Sequence, residues 1–223
     1  VPIIRIGGKT GTRKTALVND IDFSIDLEGH ANHRGSSFGY RVSGVPAQID
    51  FENALGIDLL RKRNAFQDRT LIVEDESQSI GPSTIPKDFY DKMRAADVAI
   101  VEMPVAVRVQ CILREYVIEM TQEFLAAHPD NGWELYVDYL TQSLMRVKRR
   151  LGQERYDKIS GLMNAALKKQ EEQGDTSDHE GWIIELLADY YDPMCEYQLG
   201  KQADKIIYRG AYDEGLEWAK ERS

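Results

Sequence analysis

Apolar positions fall along the chain in two rhythms, and the rhythm changes near Pro104. Before that point, short apolar runs alternate with segments of helical character. Pro2-Ile3-Ile4-Arg5-Ile6 reads as a strand, and Asp22-Phe23-Ser24-Ile25-Asp26-Leu27 alternates with the period of two that a strand shows. Thr70-Leu71-Ile72-Val73 and Val98-Ala99-Ile100-Val101 are continuous apolar runs, as expected of strands covered on both faces. Phe51 to Arg63 and Pro86 to Ala96 between them are helical in character. This succession predicts an α/β fold: a P-loop NTPase-like parallel sheet with helices on both faces.

Past Pro104 the period is that of a helix. Val109, Ile112, Tyr116, Met120 and Phe124 line one side of a helix over Val105 to Ala127. After the turn Pro129-Asp130-Asn131-Gly132, the residues Trp133, Val137, Leu140, Leu144, Val147 and Leu151 recur at spacings of four and three. Gly152 breaks the run, and Tyr156, Ile159, Met163 and Ala166 resume it, which predicts a helical hairpin. A loop over Gln173 to Asp178 leads to a helix from about Gly181 that should kink or stop near Pro193. Lys205-Ile206-Ile207-Tyr208 reads as a last strand, followed by an amphipathic helix from Asp213. The expected organisation is a P-loop α/β domain over 1–128, a helical C-terminal subdomain over 129–199, and a strand and helix over 200–223 that return to the α/β domain.

Composition narrows the functional classes. With 42% hydrophobic and 29% charged residues the chain can bury a substantial core and is not disordered. No apolar run approaches the ~20 residues of a membrane span, and no signal peptide is evident, so a cytoplasmic protein without a membrane partner is expected. The start at Val1-Pro2-Ile3, already inside a strand, suggests a piece of a longer protein. Cys111 and Cys195 stand far apart without a C-x-x-C, which suits reduced thiols. The four histidines lack zinc-ligand spacing. A net charge of −9 argues against a wholly basic nucleic-acid binder but leaves room for a local basic face.

The chemistry is densest in Gly8-Lys9-Thr10-Gly11-Thr12-Arg13-Lys14-Thr15, between the first apolar run and a helical segment. It nearly completes G-x-x-x-x-G-K-[ST], in the strand–loop–helix setting where backbone N–H groups and a lysine cradle phosphates. Gly8 and Gly11 let the backbone turn and approach phosphate oxygens. The consecutive N–H groups through Thr12 and Arg13 form an anion nest. Lys14 reaches the terminal phosphate, and Thr15 offers its hydroxyl to Mg²⁺, a candidate cofactor. Arg13 stands in place of the second glycine. Its bulk predicts a poorer fit around a triphosphate, and its charge a second cation for a diphosphate. A tight turn without a ligand is the alternative.

Two further segments belong with the loop. Glu74-Asp75-Glu76-Ser77 follows the Leu71–Val73 strand, where acids beside a phosphate loop can hold Mg²⁺, so Glu74 and Asp75 join Thr15 as candidate metal ligands. A solvated strand end is the alternative, and alternation alone does not say which acid faces the metal. The stretch from Asp26 to Gly39 packs acids, imidazoles, an arginine and glycines into a loop after the second strand. There His33 is a candidate acid or base and Arg34 a candidate bidentate phosphate ligand, against an ordinary exposed loop. Farther on, Arg146, Arg149 and Arg150 share the side opposite the buried stripe, with Lys148 at its edge. The residues alone favour the compensation of a helix C-terminal dipole on a solvated face, with contact to a phosphate backbone as the alternative.

Taken together, Gly-Gly-x-Thr-Gly-x-x-Lys-Thr (7–15), Asp-Leu-Glu-Gly (26–29), His-Arg-Gly-Ser-Ser-Phe-Gly (33–39), Phe-Glu-Asn (51–53) and Glu-Asp-Glu-Ser (74–77) resemble the bacterial tRNA 2-selenouridine synthases. Lys-Arg-Arg-Leu-Gly (148–152), Tyr-Tyr-Asp-Pro-Met (190–194) and Tyr-Gln-Leu (197–199) extend the resemblance to nearly the whole chain. The resemblance implies the P-loop domain of a transferase whose N-terminal rhodanese-like domain, with its catalytic cysteine, is missing here. Neither Cys111 nor Cys195 lies in a matching motif. It further implies S-geranylation of 2-thiouridine at the tRNA wobble position from geranyl diphosphate, then conversion to 2-selenouridine with selenophosphate. On that footing Arg146, Lys148, Arg149 and Arg150 become candidate tRNA contacts. A P-loop small-molecule kinase or NTPase is the rival reading, and a non-catalytic tRNA-docking module a third.

Overall fold

The apolar runs become strands in the computed structural model, which describes residues 1–66 and 68–223. In chain order the first unit holds β1 (Ile3–Gly7), α1 (Lys14–Asn19), β2 (Ser24–Ile25), α2 (Leu27–Ala31), α3 (Gln48–Ala65), β3 (Leu71–Glu74), β4 (Ser79–Ile80), β5 (Ser83–Thr84), α4 (Lys87–Ala95) and β6 (Asp97–Glu102). The second, Pro104–Tyr197, holds α5 (Val105–Ile112), α6 (Met120–Ala127), α7 (Gly132–Leu151), α8 (Gln153–Gln173), α9 (His179–Leu186) and the start of α10 (Asp192–Gly200). The chain then completes the first unit with β7 (Ile206–Ala211) and α11 (Tyr212–Lys220).

Five strands pair in the order β2-β3-β1-β6-β7, every pairing parallel. Side chains alternate across the sheet. Leu71 and Val73 therefore join Phe23, Phe51, Leu55 and Met93 on one face, while Ile72 joins Ile4, Ile6, Leu17, Val18 and Ala219 on the other. Helices α3 and α4 cover the first face, α1 and α11 the second. This is the P-loop NTPase-like α/β fold that the rhythm of the sequence predicts.

Three local expectations change. The alternating stretch Asp22–Leu27 pairs only at Ser24 and Ile25, because the Asp26 carboxylate accepts the Gly29 N–H at 2.6 Å and caps α2 from Leu27 onward. Pro193 does not stop its helix. The chain passes it through a π-helical stretch, Leu187–Tyr191, and continues as α10. A wider turn just before the proline accommodates its missing N–H and the crowding of its ring. The helical unit also begins at Pro104 rather than at 129. The stripe from Val109 to Phe124 is buried, and the helices bearing it pack on α7 and α9.

Within the helical unit, buried polar groups are tied together. Arg108 meets Asp192 through two hydrogen bonds of 2.7 Å. His179 is fully buried, accepts the Trp182 indole N–H on Nδ1 at 2.8 Å, and faces Gln170 Oε1 with Nε2 at 2.8 Å. Gln170 in turn donates to Thr121 Oγ1 at 3.0 Å. Among the described residues no helix is long and apolar enough to cross a membrane.

Candidate phosphate-binding site

The site opens where β1 ends. Gly8 runs so close to β6 that a Cβ there would lie 2.6 Å from the Val101 carbonyl oxygen, so only glycine fits. Thr12 is buried and directs both its N–H, at 3.3 Å, and its hydroxyl, at 2.8 Å, to the Lys9 carbonyl, which shapes the loop around Gly11. Arg13 takes φ 56° and ψ 37°, the left-handed conformation that carries a penalty of roughly 1–2 kcal/mol for a residue with a Cβ. The sequence departs from the phosphate-loop pattern at this position, but the backbone does not. The Arg13 side chain is exposed.

Lys14 opens α1, and its Nζ donates to the Gly8 carbonyl at 3.3 Å, folding the ammonium back across the loop. Helix α1 has only six residues, so an anion held here would rest mainly on the loop's own N–H groups and Lys14. Beside it, the Thr15 hydroxyl donates to Glu28 Oε2 at 2.9 Å, and the Glu28 N–H donates to Glu74 Oε2 at 3.0 Å. Glu76 reaches the same place. A Cβ on Gly35 would lie 2.7 Å from Glu28 Oε1 and 2.9 Å from Glu76 Oε2. Lys14 and Thr15 thus face three acids carried on α2, at the end of β3 and just beyond it.

The acids are costly to hold there. Burial pushes Glu74 up to about 8, with the Glu28 charge adding to it. Burial and then Glu76 push Glu28 to about 8, while Glu76 rises to about 7 by burial, held back by Lys14. Glu74 is 1% exposed, and its Oε1 finds no hydrogen-bond partner among the described residues. An orphaned buried carboxylate oxygen next to a threonine hydroxyl fits a Mg²⁺ ion. No three of His, Cys, Asp and Glu converge into a ready-made metal cage among the described residues. Mg²⁺ characteristically needs only one or two carboxylates, completing its shell with water and phosphate.

Asp75 turns away from this group. Its carboxylate accepts from the fully buried Arg5, from Arg94 at 3.2 Å and from Gln202 at 2.7 Å. Arg5 also donates to Gln202 Oε1 at 2.9 Å and to the Ala96 carbonyl at 2.8 Å. Asp75 is placed to fasten the strand end, with Glu74 and Glu76 on the side of the loop. His33 and Arg34 lie on the segment that follows α2. The His33 N–H donates to the Glu28 carbonyl at 3.1 Å, and the Arg34 N–H to the Gly39 carbonyl at 2.9 Å.

The basic candidates lie in the helical unit, in the last turns of α7. Arg146, Arg149 and Arg150 are exposed on the side opposite the buried Leu144, Val147 and Leu151. Arg150 Nη1 donates to the Tyr190 hydroxyl at 3.4 Å, and Arg146 Nη1 to Ser143 Oγ at 3.2 Å. Lys148 is half-buried with Nζ 4.5 Å from the centre of the Tyr156 ring, a cation–π contact inside the helical hairpin.

Sequence reading did not place Glu28 and Glu76 at the site. Glu76 was reachable from its spacing of two from Glu74, which puts both on one side of an extended chain. Glu28 was not, because its position depends on the cap at Asp26 turning a strand into a helix.

A family model described as the tRNA 2-selenouridine synthase AAA domain matches residues 1–223. A protein of Photobacterium profundum named tRNA 2-selenouridine synthase is 40% identical over 222 residues, 99% of this chain and 61% of the relative. Proteins of the same name from Bordetella petrii and Bordetella bronchiseptica are 44% and 45% identical, over 97% and 96% of this chain and 58% of each relative. The chain therefore spans about 60% of the length of these relatives. No solved structure matches.

Proposed function

We infer the activity of this chain from its family: it belongs to the tRNA 2-selenouridine synthase AAA-domain family. In an enzyme of that family, this chain is the part that grips the diphosphate of geranyl diphosphate while the sulfur of a 2-thiouridine in tRNA is geranylated. Conversion to 2-selenouridine with selenophosphate is the second step. The remaining length of the relatives suits the rhodanese-like domain that the sequence motifs imply, and tRNA as substrate suits a cytoplasmic enzyme.

The observation that carries this reading is the loop from Gly8 to Thr15, with Lys14 folded across it and buried acids behind Thr15. In the transfer, the bond from the allylic carbon to the diphosphate oxygen breaks, the diphosphate leaves with the electron pair, sulfur takes that carbon, and the base gives up its N3 proton to solvent. The loop N–H groups and Lys14 hold the departing diphosphate, so the chain contributes by positioning and by stabilising a leaving group. Thr15 and Glu74 would hold Mg²⁺, which supplies neutralisation of the diphosphate charge when bound. Arg34 is the neighbouring residue suited to a second, bidentate phosphate contact. Arg146, Arg149 and Arg150, with Lys148 at the edge, are the proposed contacts to the tRNA backbone, which position the RNA without reading its bases.

A second reading, a small-molecule kinase or NTPase, keeps its place because Arg13 adopts the glycine-like conformation and leaves the loop open. One titration separates the two. The chain should bind geranyl diphosphate in a Mg²⁺-dependent way without hydrolysing it. Turnover of ATP, with no binding of geranyl diphosphate, would assign it to the kinases or NTPases instead.

A further inference from the structure

One side of the acidic group is closed by a loop, and the His33 imidazole packs inside it. The His33 ring lies in a slot walled by two glycines from separate parts of the chain. A Cβ on Gly39 would lie 2.6 Å from Cε1 and 2.8 Å from Nδ1 of the ring. A Cβ on Gly81, in the turn between β4 and β5, would lie 2.6 Å from Cδ2 and 2.7 Å from Cγ. No side chain fits at either position while the ring is in place. Nδ1 accepts the Gly35 N–H at 3.2 Å. Gly35, at φ 67°, is the residue whose backbone lies against both Glu28 and Glu76.

A line of close contacts therefore runs from the β4–β5 turn through His33 and Gly35 to two of the three acids beside Lys14. We propose that His33 is a positioning residue: slotted between Gly39 and Gly81, its imidazole fixes the Gly35 backbone against Glu28 and Glu76 and so sets the wall of the cation and diphosphate site. The β4–β5 hairpin, whose two-residue strands pair with each other and not with the main sheet, gains a role as the outer wall of that slot. The assignment displaces the acid–base role that the residue type alone suggests. Nδ1 is engaged by a backbone N–H and cannot take a proton without releasing the loop. The functional part of the inference rests on the diphosphate reading of the site.

The test compares His33→Ala, His33→Asn, Gly39→Ala and Gly81→Ala with the parent chain. Asparagine offers an acceptor oxygen near the position of Nδ1 and does not titrate. Gly39→Ala fills the slot at a position without positive φ, whereas Gly81, at φ 58°, adds backbone strain. The probes are inorganic pyrophosphate with Mg²⁺, titrated across pH, and amide hydrogen exchange over residues 34–39. His33→Ala and both alanine fillings should speed exchange at Gly35 and weaken Mg²⁺-pyrophosphate binding about tenfold, the loss of roughly one hydrogen bond's contribution. His33→Asn should restore most of both at neutral pH. Parent-like exchange and binding in a folded Gly39→Ala chain would overturn the slot. His33→Asn as impaired as His33→Ala would show that an acceptor at this position does not hold the Gly35 backbone, and would overturn the positioning role. A parent chain that binds no Mg²⁺-pyrophosphate overturns the diphosphate reading, and the exchange data still decide whether the imidazole holds the loop.

Discussion

In the helical unit Arg108 and Asp192 meet through paired hydrogen bonds and His179 sits neutral between Trp182 and Gln170; in the α/β unit Glu74 is buried beside Glu28 with one oxygen unpartnered among the described residues. Both units bury polar groups. The Arg108 and His179 groups bring opposite charges or complementary hydrogen-bonding groups together, as Arg5 and Asp75 do in the α/β unit, whereas the Glu28–Glu74 cluster brings like charges together. Like carboxylates at close range raise each other's affinity for protons and weaken the fold that holds them. An arrangement of that kind stabilises nothing by itself. On the proposed reading, its use lies in a cation and a diphosphate that enter later, beside Lys14 and Thr15. The contrast therefore separates polar groups that build a unit from polar groups that wait for a ligand, and it can be broken from either side.

The largest effect is expected where the pairing is complete. Asp192→Ala leaves Arg108 buried without its counter-ion and should destabilise the helical unit by about 3–5 kcal/mol, read from denaturant unfolding. A loss near zero would reduce that pair to surface electrostatics.

The pH dependence should have opposite signs in the two units. Burial lowers His179 from 6.5 to about 4, so between those values the unfolded chain binds the proton and the folded one does not. The helical unit should lose stability as pH falls through that window. The carboxyls of Glu28 and Glu74 are raised from 4.5 to about 8, so the folded form holds protons the unfolded form has lost. Their contribution is fully present below about 4.5 and is lost as pH rises through about 8. Amide exchange resolved by unit, corrected for the intrinsic pH effect, measures both slopes, and slopes of one sign would contradict the comparison.

Glu74→Gln sharpens it further. Replacing a buried carboxylate that lacks a counter-ion should stabilise the α/β unit by about 1–3 kcal/mol near pH 8 and remove the stabilisation by Mg²⁺, both read by thermal unfolding. The smallest effect is expected at Arg13. Arg13→Gly relieves a left-handed backbone but adds freedom to the unfolded chain, for a net gain of about 0.5–1 kcal/mol, and ATP affinity should stay within about twofold because the side chain is already exposed.

Much of the α/β unit can be read from sequence because β1, β3 and β6 are buried on both faces and leave continuous apolar runs at Ile3, Leu71 and Val98. The loop from Gly8 to Thr15 is legible for a different reason: its residues are adjacent in the chain. What the sequence does not show is decided by contacts between distant residues. Asp75 looked equivalent to Glu74 until Arg5 and Gln202, far away in sequence, claimed its carboxylate. Leu27 continued an alternating pattern until the Asp26 cap turned it into a helix. The β4–β5 hairpin has strands too short to carry a period, and Gly81 acquires meaning only once the His33 ring is seen against it.

The central claim is that the acids and the loop await a cation and a diphosphate together. Isothermal titration of the chain and of Lys14→Ala with geranyl diphosphate, with and without Mg²⁺, tests it most directly. The account predicts Mg²⁺-dependent binding that weakens by about 2–3 kcal/mol in the folded variant, the scale of a lost charged hydrogen bond. Equal affinity in the parent and the folded Lys14→Ala chain, or binding indifferent to Mg²⁺, would contradict it.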